Sequence, residues 1–375
     1  MAKSFFRKFA KRIFIVSNIF VALLFLLGCY SGYFNPKYFW FIGFFTLASF
    51  YLLILLIGFI FLWLFADKKL ALISVLAIGL AWKPLGQLLP LRTTPPFTLV
   101  KHPSHLRVMT WNVEHFEILE YKKHPEKKQE MLNLINEYQP DIVCFQEMVA
   151  GDSPKAINPL SEFTSRLGMP YYHYAYNRKL DFDDNHHFGI IIMSRIPLLS
   201  KHTFSYEPNN YNSIFEFVDI VKNGDTFRIV NLHLQSMKFS SGNLSYIEKT
   251  TEKDITIKET RSVLSKLRTG FYRRKTQSEH LKKELNKSPF PLIVCGDFND
   301  VPNSYAYTTI GKGLKNAFAD KGTGIGRTFY SISPTLRIDN IFVDEKFTVE
   351  QYLRVKKKIS DHFPIIADLY YNKPQ

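Results

Sequence analysis

Two hydrophobic patterns divide the chain. Ile13 to Tyr33 and Tyr38 to Ala66 contain no charged residue, and neither shows a polar face at helical spacing. About 20 helical residues at 1.5 Å each cross the hydrocarbon layer, so both runs predict membrane-spanning helices. A third run, Leu70 to Leu91, is apolar as far as Trp82, where Lys83 and Pro84 interrupt it. It reads as a third span, kinked at the proline and with the lysine snorkelling; the rival is a re-entrant or interfacial segment.

From Leu106 onward the pattern changes to short apolar runs of strand length. They are Leu106 to Asn112, Asp141 to Gln146, Tyr171 to Asn177, Phe188 to Ser194, Ile214 to Val221, Phe227 to His233, Pro291 to Cys295, Ile338 to Val343 and Ile365 to Tyr370. Helices are expected near Pro125 to Tyr138, Leu160 to Leu167 and Tyr272 to Leu285. Many strands with few helices predict an α/β sandwich, with sheets packed together and helices outside. Between the two regions, Arg92 to Ser104 carries Pro95, Pro96 and Pro103, which suits an extended linker. The organisation is thus a basic N-terminus (1–12), a membrane region (13–91, with spans about 13–33, 38–66 and 70–91), a Pro-rich linker (92–104) and one catalytic-sized domain (105–375).

The formal charge of +15 is uneven: residues 1–100 hold ten Lys/Arg against Asp67 alone, +9, leaving +6 for the rest. Lys3, Arg7, Lys8, Lys11 and Arg12 precede the first span, and Lys68 and Lys69 follow the second. Both clusters are cytoplasmic under the positive-inside rule if the Asn35 to Lys37 loop is outside. Three spans then place residues 101–375 outside the cytoplasm, and two leave them inside. The expectation is an integral protein of the cell or inner membrane, with an extracytoplasmic domain if there are three spans; Arg92 and Lys101 weigh slightly against that side. Leu26-Leu27-Gly28-Cys29 faintly resembles a lipoprotein cleavage box, but a second long span follows at once. Three cysteines without metal-like spacing argue against a disulfide framework or zinc site.

The domain's positive excess lies in Met237 to Ser288, with thirteen Lys/Arg against six acids. It reads either as a solvated helical face or as a phosphate- or membrane-surface patch, with Arg273, Arg274 and Lys275 as candidates to meet an anion.

Polar residues gather at strand ends, where loops present side chains to a common cleft. They are Asn112, Gln146-Glu147, His233, Asp297 and Asn299 in Gly296-Asp297-Phe298-Asn299, Asp339 in Arg337-Ile338-Asp339, and Asp361-His362 after Ser360. Singly, an Asx turn, a structural His or a helix-start carboxylate explains many of them. Asp339 inside an apolar strand is harder to explain, because burying an unpaired carboxylate is costly. Together they supply carboxylate and amide oxygens for a hard cation and imidazoles for a phosphate and for proton transfer, with no Cys or Ser nucleophile motif. That set points to metal-assisted phosphoester hydrolysis with Mg²⁺, or Mn²⁺, rather than zinc.

In order, Thr110-Trp111-Asn112, Gln146-Glu147, Asn231-Leu232-His233, Gly296-Asp297-Phe298-Asn299, Arg337-Ile338-Asp339 and Ser360-Asp361-His362 make residues 106–370 resemble the endonuclease/exonuclease/phosphatase superfamily. Its members include DNase I, the apurinic endonucleases, neutral sphingomyelinases and inositol-polyphosphate 5-phosphatases. The resemblance implies a four-layer sandwich of two mixed β-sheets flanked by helices. It also implies one Mg²⁺ held chiefly by Glu147, with Asn112 and Asp361 beside it. Asp297 would orient or deprotonate water, Asn299 and His233 would hold the phosphate, and His362 paired with Asp339 would stabilise developing charge or act as acid/base. The loops before the His strand depart from the family, carrying Asn177, Arg178, His186 and His187; Arg178 and His187 are phosphate candidates there, although His187 also reads as a surface-loop residue. Asn340 replaces an aromatic.

The function expected is a membrane-anchored, nuclease-like phosphoesterase acting on a phosphodiester or phosphomonoester. The alternatives are a phospholipid or inositol-phosphate head-group hydrolase and an inactive binding module. The bilayer is the expected partner, with a nucleic acid, phosphorylated lipid or small molecule as substrate; no protein partner is implied.

Overall fold

The computed structural model describes residues 2–114, 125–151, 159–176, 186–205, 214–236 and 257–373. Asn177, Arg178 and the whole Met237 to Thr256 stretch lie outside them.

The apolar N-terminal runs form α1 (Ala2–Cys29) and α3 (Ile42–Ala66), joined through the short turn α2 (Pro36–Phe39). Both are long and apolar enough to cross a membrane. They cross closely where Gly28 meets the Phe45 backbone; a Cβ there would collide with that carbonyl. Small residues at such crossings let helix backbones approach in lipid. Lys11 Nζ lies 2.8 Å from Asp67 Oδ2, so the basic N-terminus and the far end of α3 share one side.

The third run is not one straight helix. It divides into α4 (Ala71–Leu80) and α5 (Trp82–Leu88), with a 67° bend. The cause is Pro84, whose missing N–H cannot bond the Leu80 carbonyl one turn back. Tyr30 Oη donates to that carbonyl instead, at 2.6 Å. Asn18 Oδ1 accepts from Ser74 Oγ at 2.7 Å, so α4 is held against α1 by a buried polar pair. The chain therefore returns from the Asp67 end to the level of Tyr30 before the kink.

Among the described residues the remaining chain forms two six-stranded sheets. It begins one with β1 (Leu106–Asn112), β2 (Ile142–Gly151), β3 (Tyr171–Tyr176) and β4 (His186–Ser194). It then builds the second with β5 (Leu198–Ser205), β6 (Ile214–Lys222), β7 (Asp225–His233), β8 (Leu292–Asp297), β9 (Leu314–Asn316) and β10 (Asp339–Asp344). It returns to the first with β11 (Phe347–Arg354) and β12 (Ile365–Tyr371). The spatial orders are β11-β12-β1-β2-β4-β3 and β5-β6-β7-β8-β10-β9. Each sheet holds one parallel pair, β1 with β2 and β7 with β8; the other neighbours are antiparallel. Two mixed sheets flanked by helices are the architecture the motifs imply.

Side chains alternate along each strand, so Leu106, Val108, Ile142 and Cys144 face the second sheet across the central core. Met109, Trp111, Val143 and Phe145 point the other way, under α6 (Pro125–Tyr138) and α7 (Pro159–Arg166). Both faces are buried, which is why these strands read as continuous apolar runs. The second sheet is covered on its outer face by α8 (Ile257–Leu285), which begins a good four turns before the expected Tyr272, and by α9 (Tyr305–Gly311).

The linker is extended, as its prolines dictate, but it does not hang free. Thr98 N–H donates to Gln351 Oε1 at 2.9 Å, Arg107 Nη1 donates to the Leu99 carbonyl at 2.8 Å, and Phe97 packs edge-on against Tyr138. Upstream, Arg337 donates to the Gln87 and Leu88 carbonyls at the C-terminal end of α5, and Asn303 Nδ2 donates to the Pro84 carbonyl at 3.0 Å. A cation at a helix C-terminus meets both the open carbonyls and the negative end of the dipole.

Between the sheets lies a buried polar network. Gln146 Nε2 donates to Asn231 Oδ1 at 2.7 Å and to Thr110 Oγ1 at 3.0 Å, and Asn231 Nδ2 donates to Glu216 Oε1 at 3.0 Å. Burial pushes the Glu216 carboxyl well above the ordinary range, although the Asn231 bond opposes the shift. A carboxyl raised on folding contributes stability that is fully present below the ordinary glutamate pKa of about 4.3 and is lost as pH rises through the folded value. Glu216→Gln keeps the acceptor for Asn231 and removes the titration. Thermal unfolding should show the variant melting above wild type at pH 8 and close to it at pH 4; equal melting temperatures at both pH values would contradict the buried acid.

Candidate active site

Strand register brings the site together. Along the second sheet His233, Asp297 and Asp339 are directly paired neighbours on β7, β8 and β10. Across from them Asn112, the last residue of β1, pairs with Gln146 where β2 bulges. The site thus occupies the C-terminal ends of both parallel pairs, where α/β sheets place ligands.

Local backbone departures aim the side chains. The β2–β4 ladder shifts between Phe145 and Met148, and within that bulge Glu147 has φ +55°. Bulges redirect a side chain, and a non-glycine residue at positive φ persists only where its surroundings over-determine it. Asn299, after β8, has φ +49°; its own N–H caps Asp297 Oδ1 at 2.7 Å. Gly296 has φ +142° and lies against Leu232 of β7 so closely that a Cβ would strike the Leu232 carbonyl.

Asp297 is the hub. Its Oδ2 accepts from Asn112 Nδ2 at 3.1 Å and from Asn299 Nδ2 at 3.2 Å. The His233 and His362 Nε2 atoms lie 3.6 and 3.8 Å from the same oxygen. Asn112 Nδ2 also reaches Glu147 Oε1 at 3.3 Å, and His233 Nε2 lies 3.6 Å from it. His362 Nδ1 is 2.8 Å from Asp339 Oδ2, which fixes the ring and leaves Nε2 toward Asp297. Trp111 Nε1 donates to the His362 carbonyl and Ser360 Oγ donates to the Asn112 carbonyl, locking the Ser-Asp-His segment onto β1.

The electrostatics are those of crowded acid. Burial, aided by the Asp339 charge, pushes Asp297 up to about 6 against the pull of both histidines. Burial and, less strongly, Glu147 and Asp339 raise Asp361, with His362 opposing. Burial disfavours charge on His362, but the Asp339 and Asp297 carboxylates outweigh it and hold the imidazole well above its usual range. Glu147, Asp297, Asn299, Asp361 and His362 share one cavity of about 230 Å³.

A family model described as "Endonuclease/Exonuclease/phosphatase family" matches residues 109–362, and these contain all six motifs. The chain belongs to the endonuclease/exonuclease/phosphatase family. Solved structures share the fold of this family member. The human Nocturnin catalytic domain is 20% identical over 72% of this chain and 94% of its own, with a TM-score of 0.50. A family protein from Leptotrichia buccalis C-1013-b is 17% identical over 71% of this chain and 100% of its own, with a TM-score of 0.51. One from Beutenbergia cavernae DSM 12333 is 18% identical over 72% of each chain, also at 0.51. A model described as "Domain of unknown function (DUF8431)" matches residues 11–88, and no curated protein matches the chain.

Enzymes of this family generally depend on a divalent metal, and the residues present fit one. Asp297, Asp339 and His362 place ligand atoms within 4.8 Å of one another, and Asp339 Oδ1 is a buried carboxylate oxygen without a hydrogen-bond partner. The His362–Asp339 hydrogen bond already occupies two of those groups with each other. A hard cation prefers oxygen ligands, and the oxygens of Glu147, Asn112 and Asp361 stand beside this cluster.

Other expected residues take different places. Arg274, expected to meet a phosphate, is fully buried: its Nε lies 3.1 Å from Asp300 Oδ2 and its Nη1 donates to the Gln235 carbonyl. Lys275 pairs with Glu279, whereas exposed Arg273 reaches Gln235 Oε1 at 3.2 Å. His187, read as a surface-loop residue, is instead buried on β4 and stacked on Tyr176 with ring centroids 4.3 Å apart, and it does not line the cavity. Asn340 bridges to Asn316 at 3.0 Å. Gln146 is an inter-sheet peg.

Sequence reasoning missed Thr328, whose hydroxyl accepts from the Ile338 and Asp339 N–H groups, and Glu114, whose Oε2 accepts from the Asp361 N–H. Glu114 follows Asn112 by two residues and could have been noticed; nothing local marks Thr328. Gly296→Ala should cost ~1–3 kcal/mol from backbone strain alone, plus displacement of β7. Urea unfolding compared with wild type measures it, and an unchanged midpoint would exclude the close approach.

Proposed function

We propose that the chain is a membrane-anchored, Mg²⁺-dependent phosphoester hydrolase, acting on a phosphodiester or a phosphomonoester by direct attack of water. The observation that carries the reading is the hub at Asp297, a buried carboxylate oxygen ringed by two amides and two imidazoles.

In this reading Asp297 orients the attacking water and takes one of its protons. Asn112 and Asn299 fix the carboxylate where Asp297 lines the cavity. Asn299 and His233 hold the phosphate oxygens. His362, kept cationic by Asp339, neutralises charge gathering on phosphorus-bound oxygens and can give a proton to the departing oxygen. Fixed donors at the point where charge develops are worth more than the same groups in water. Glu147, Asn112 and Asp361 would hold Mg²⁺, with Mn²⁺ as a substitute. When bound, the ion supplies charge neutralisation at the phosphate and at the leaving oxygen. Asp339 does not touch the substrate; it positions His362.

Asp297→Asn should lower Mg²⁺-dependent hydrolysis of bis(4-nitrophenyl) phosphate on the order of 10²–10⁴-fold, the usual contribution of a general base. An unchanged rate in that variant would remove this mechanism, and no Mg²⁺-dependent activity in wild type would leave the binding-module reading standing.

We also propose an extracytoplasmic catalytic domain. The basic N-terminus and Asp67 share one end of the helical hairpin, α4 returns to the other end, and the domain docks there through α5. A reporter active only in the cytoplasm, fused after Gln375, should be silent, and a working reporter would refute the topology.

A further inference from the structure

One wall of the catalytic cavity is a membrane helix. Leu47, in the second turn of α3, lines the same space as Glu147, Asp297 and His362. The contact is part of a continuous face. Trp40, just ahead of α3, stacks under Arg268 at 5.5 Å, Phe44 meets Phe271 edge-on at 5.9 Å, and Tyr51 Oη is 3.3 Å from Ser333 Oγ. Positions 40, 44, 47 and 51 repeat at spacings of four, three and four, the signature of one helical face turned toward one partner. The catalytic domain therefore sits against the side of α3 for its first three turns, and is not merely tethered above it.

The depth of this contact follows from the helix rise. Leu47 lies 19 residues before Ala66, about 28 Å along the axis at 1.5 Å per residue. With Ala66 and Asp67 at one surface of a hydrocarbon layer about 30 Å thick, Leu47 falls at the opposite boundary between acyl chains and head groups. The cavity is chemically mixed. The acid cluster around Asp297 shares it with an apolar lining of Leu47, Phe329, Ile332 and Leu336, and Phe329 lies against the His362 ring at 4.9 Å. Among the described residues no Lys or Arg lines it. A polyanion needs a basic track that contacts several phosphates; a single phosphate joined to an apolar chain needs what this cavity offers.

Resting on the phosphoester-hydrolase reading, we infer that the substrate is a membrane lipid whose head-group phosphate enters the Asp297 site sideways from the bilayer, along the Leu47 face of α3, while its apolar chains stay against Leu47, Ile332 and Leu336. In the step itself, the oxygen of one water forms a new bond to phosphorus and the phosphorus–oxygen bond to the departing alcohol breaks. One proton leaves the water for Asp297, and one is delivered to the departing oxygen, so that one water is consumed in all.

The test uses the full-length protein in nanodiscs of phosphatidylcholine that carry phosphatidylglycerol, phosphatidylethanolamine, phosphatidic acid and a phosphatidylinositol phosphate, with Mg²⁺ present. Released products are read by mass spectrometry. The same discs are given the deacylated glycerophosphodiesters, a single-stranded DNA 20-mer and bis(4-nitrophenyl) phosphate. At least one disc lipid should be cleaved ten times faster than its deacylated counterpart at equal bulk concentration. Leu336→Gln should lower the ratio of lipid to bis(4-nitrophenyl) phosphate hydrolysis at least threefold. Cleavage of DNA or of deacylated esters as fast as any lipid, with bis(4-nitrophenyl) phosphate turned over, overturns the lipid inference and leaves the hydrolase reading intact. Failure to hydrolyse any ester overturns both.

Discussion

Two carboxylates facing each other in a place that water barely reaches set the terms for the rest of this domain. Asp297 and Asp339 are paired across β8 and β10 and almost wholly buried. Like charges at this distance in a protein interior raise each other's free energy by several times the thermal energy. Every neighbour answers that repulsion: His362 bonds one acid and faces the other, His233 approaches the first, and Asn112 and Asn299 donate to it. The arrangement is unstable as an isolated set of acids. It becomes stable as a pocket for cationic or proton-donating groups, which is what a phosphoester reaction requires.

Backbone geometry concentrates strain at the same place. The β2 bulge at Glu147 and the left-handed Asn299 line one cavity, and the glycine between Cys295 and Asp297 immediately precedes a third lining residue. Behind the rim, the Gln146–Asn231–Glu216 chain replaces apolar contact between the sheets with directional bonds. Such bonds fix how far one sheet can slide over the other, and sliding by one residue would separate Asn112 from Asp297.

Much of this could be read from the sequence because it is local. Nine of the twelve strands seen among the described residues are apolar or aromatic runs, most of them buried on both faces, and the site residues stand at or just beyond their ends. The three strands that were missed, β5, β9 and β11, are two edge strands of alternating exposure and a three-residue edge. Their membership depends on a neighbour rather than on their own composition. Arg274 illustrates the converse: in a basic run it resembles an anion contact, but helix phase turns it inward to Asp300. The kink after Leu80 was foreseeable from Pro84, whereas Tyr30 as substitute donor was not, since 50 residues separate the two. Leu47 in the site cavity is the extreme case, one apolar residue among dozens in the N-terminal helices, distinguished only by what packs against it.

Arg337 carries a consequence for where the catalytic unit begins. Its guanidinium is buried, lies over the Phe318 ring at 4.1 Å and bonds the last carbonyls of α5, and Asp339 follows two residues later on the same chain. Cutting the protein at the Pro-rich linker would leave that cation in the interior with most of its acceptors gone, next to the strand that orients His362. The apolar helical region is therefore not a leash attached to a finished domain. In folding terms the domain starts at Trp82, and the helix that leads into it and the strand that carries Asp339 are braced by the same side chain.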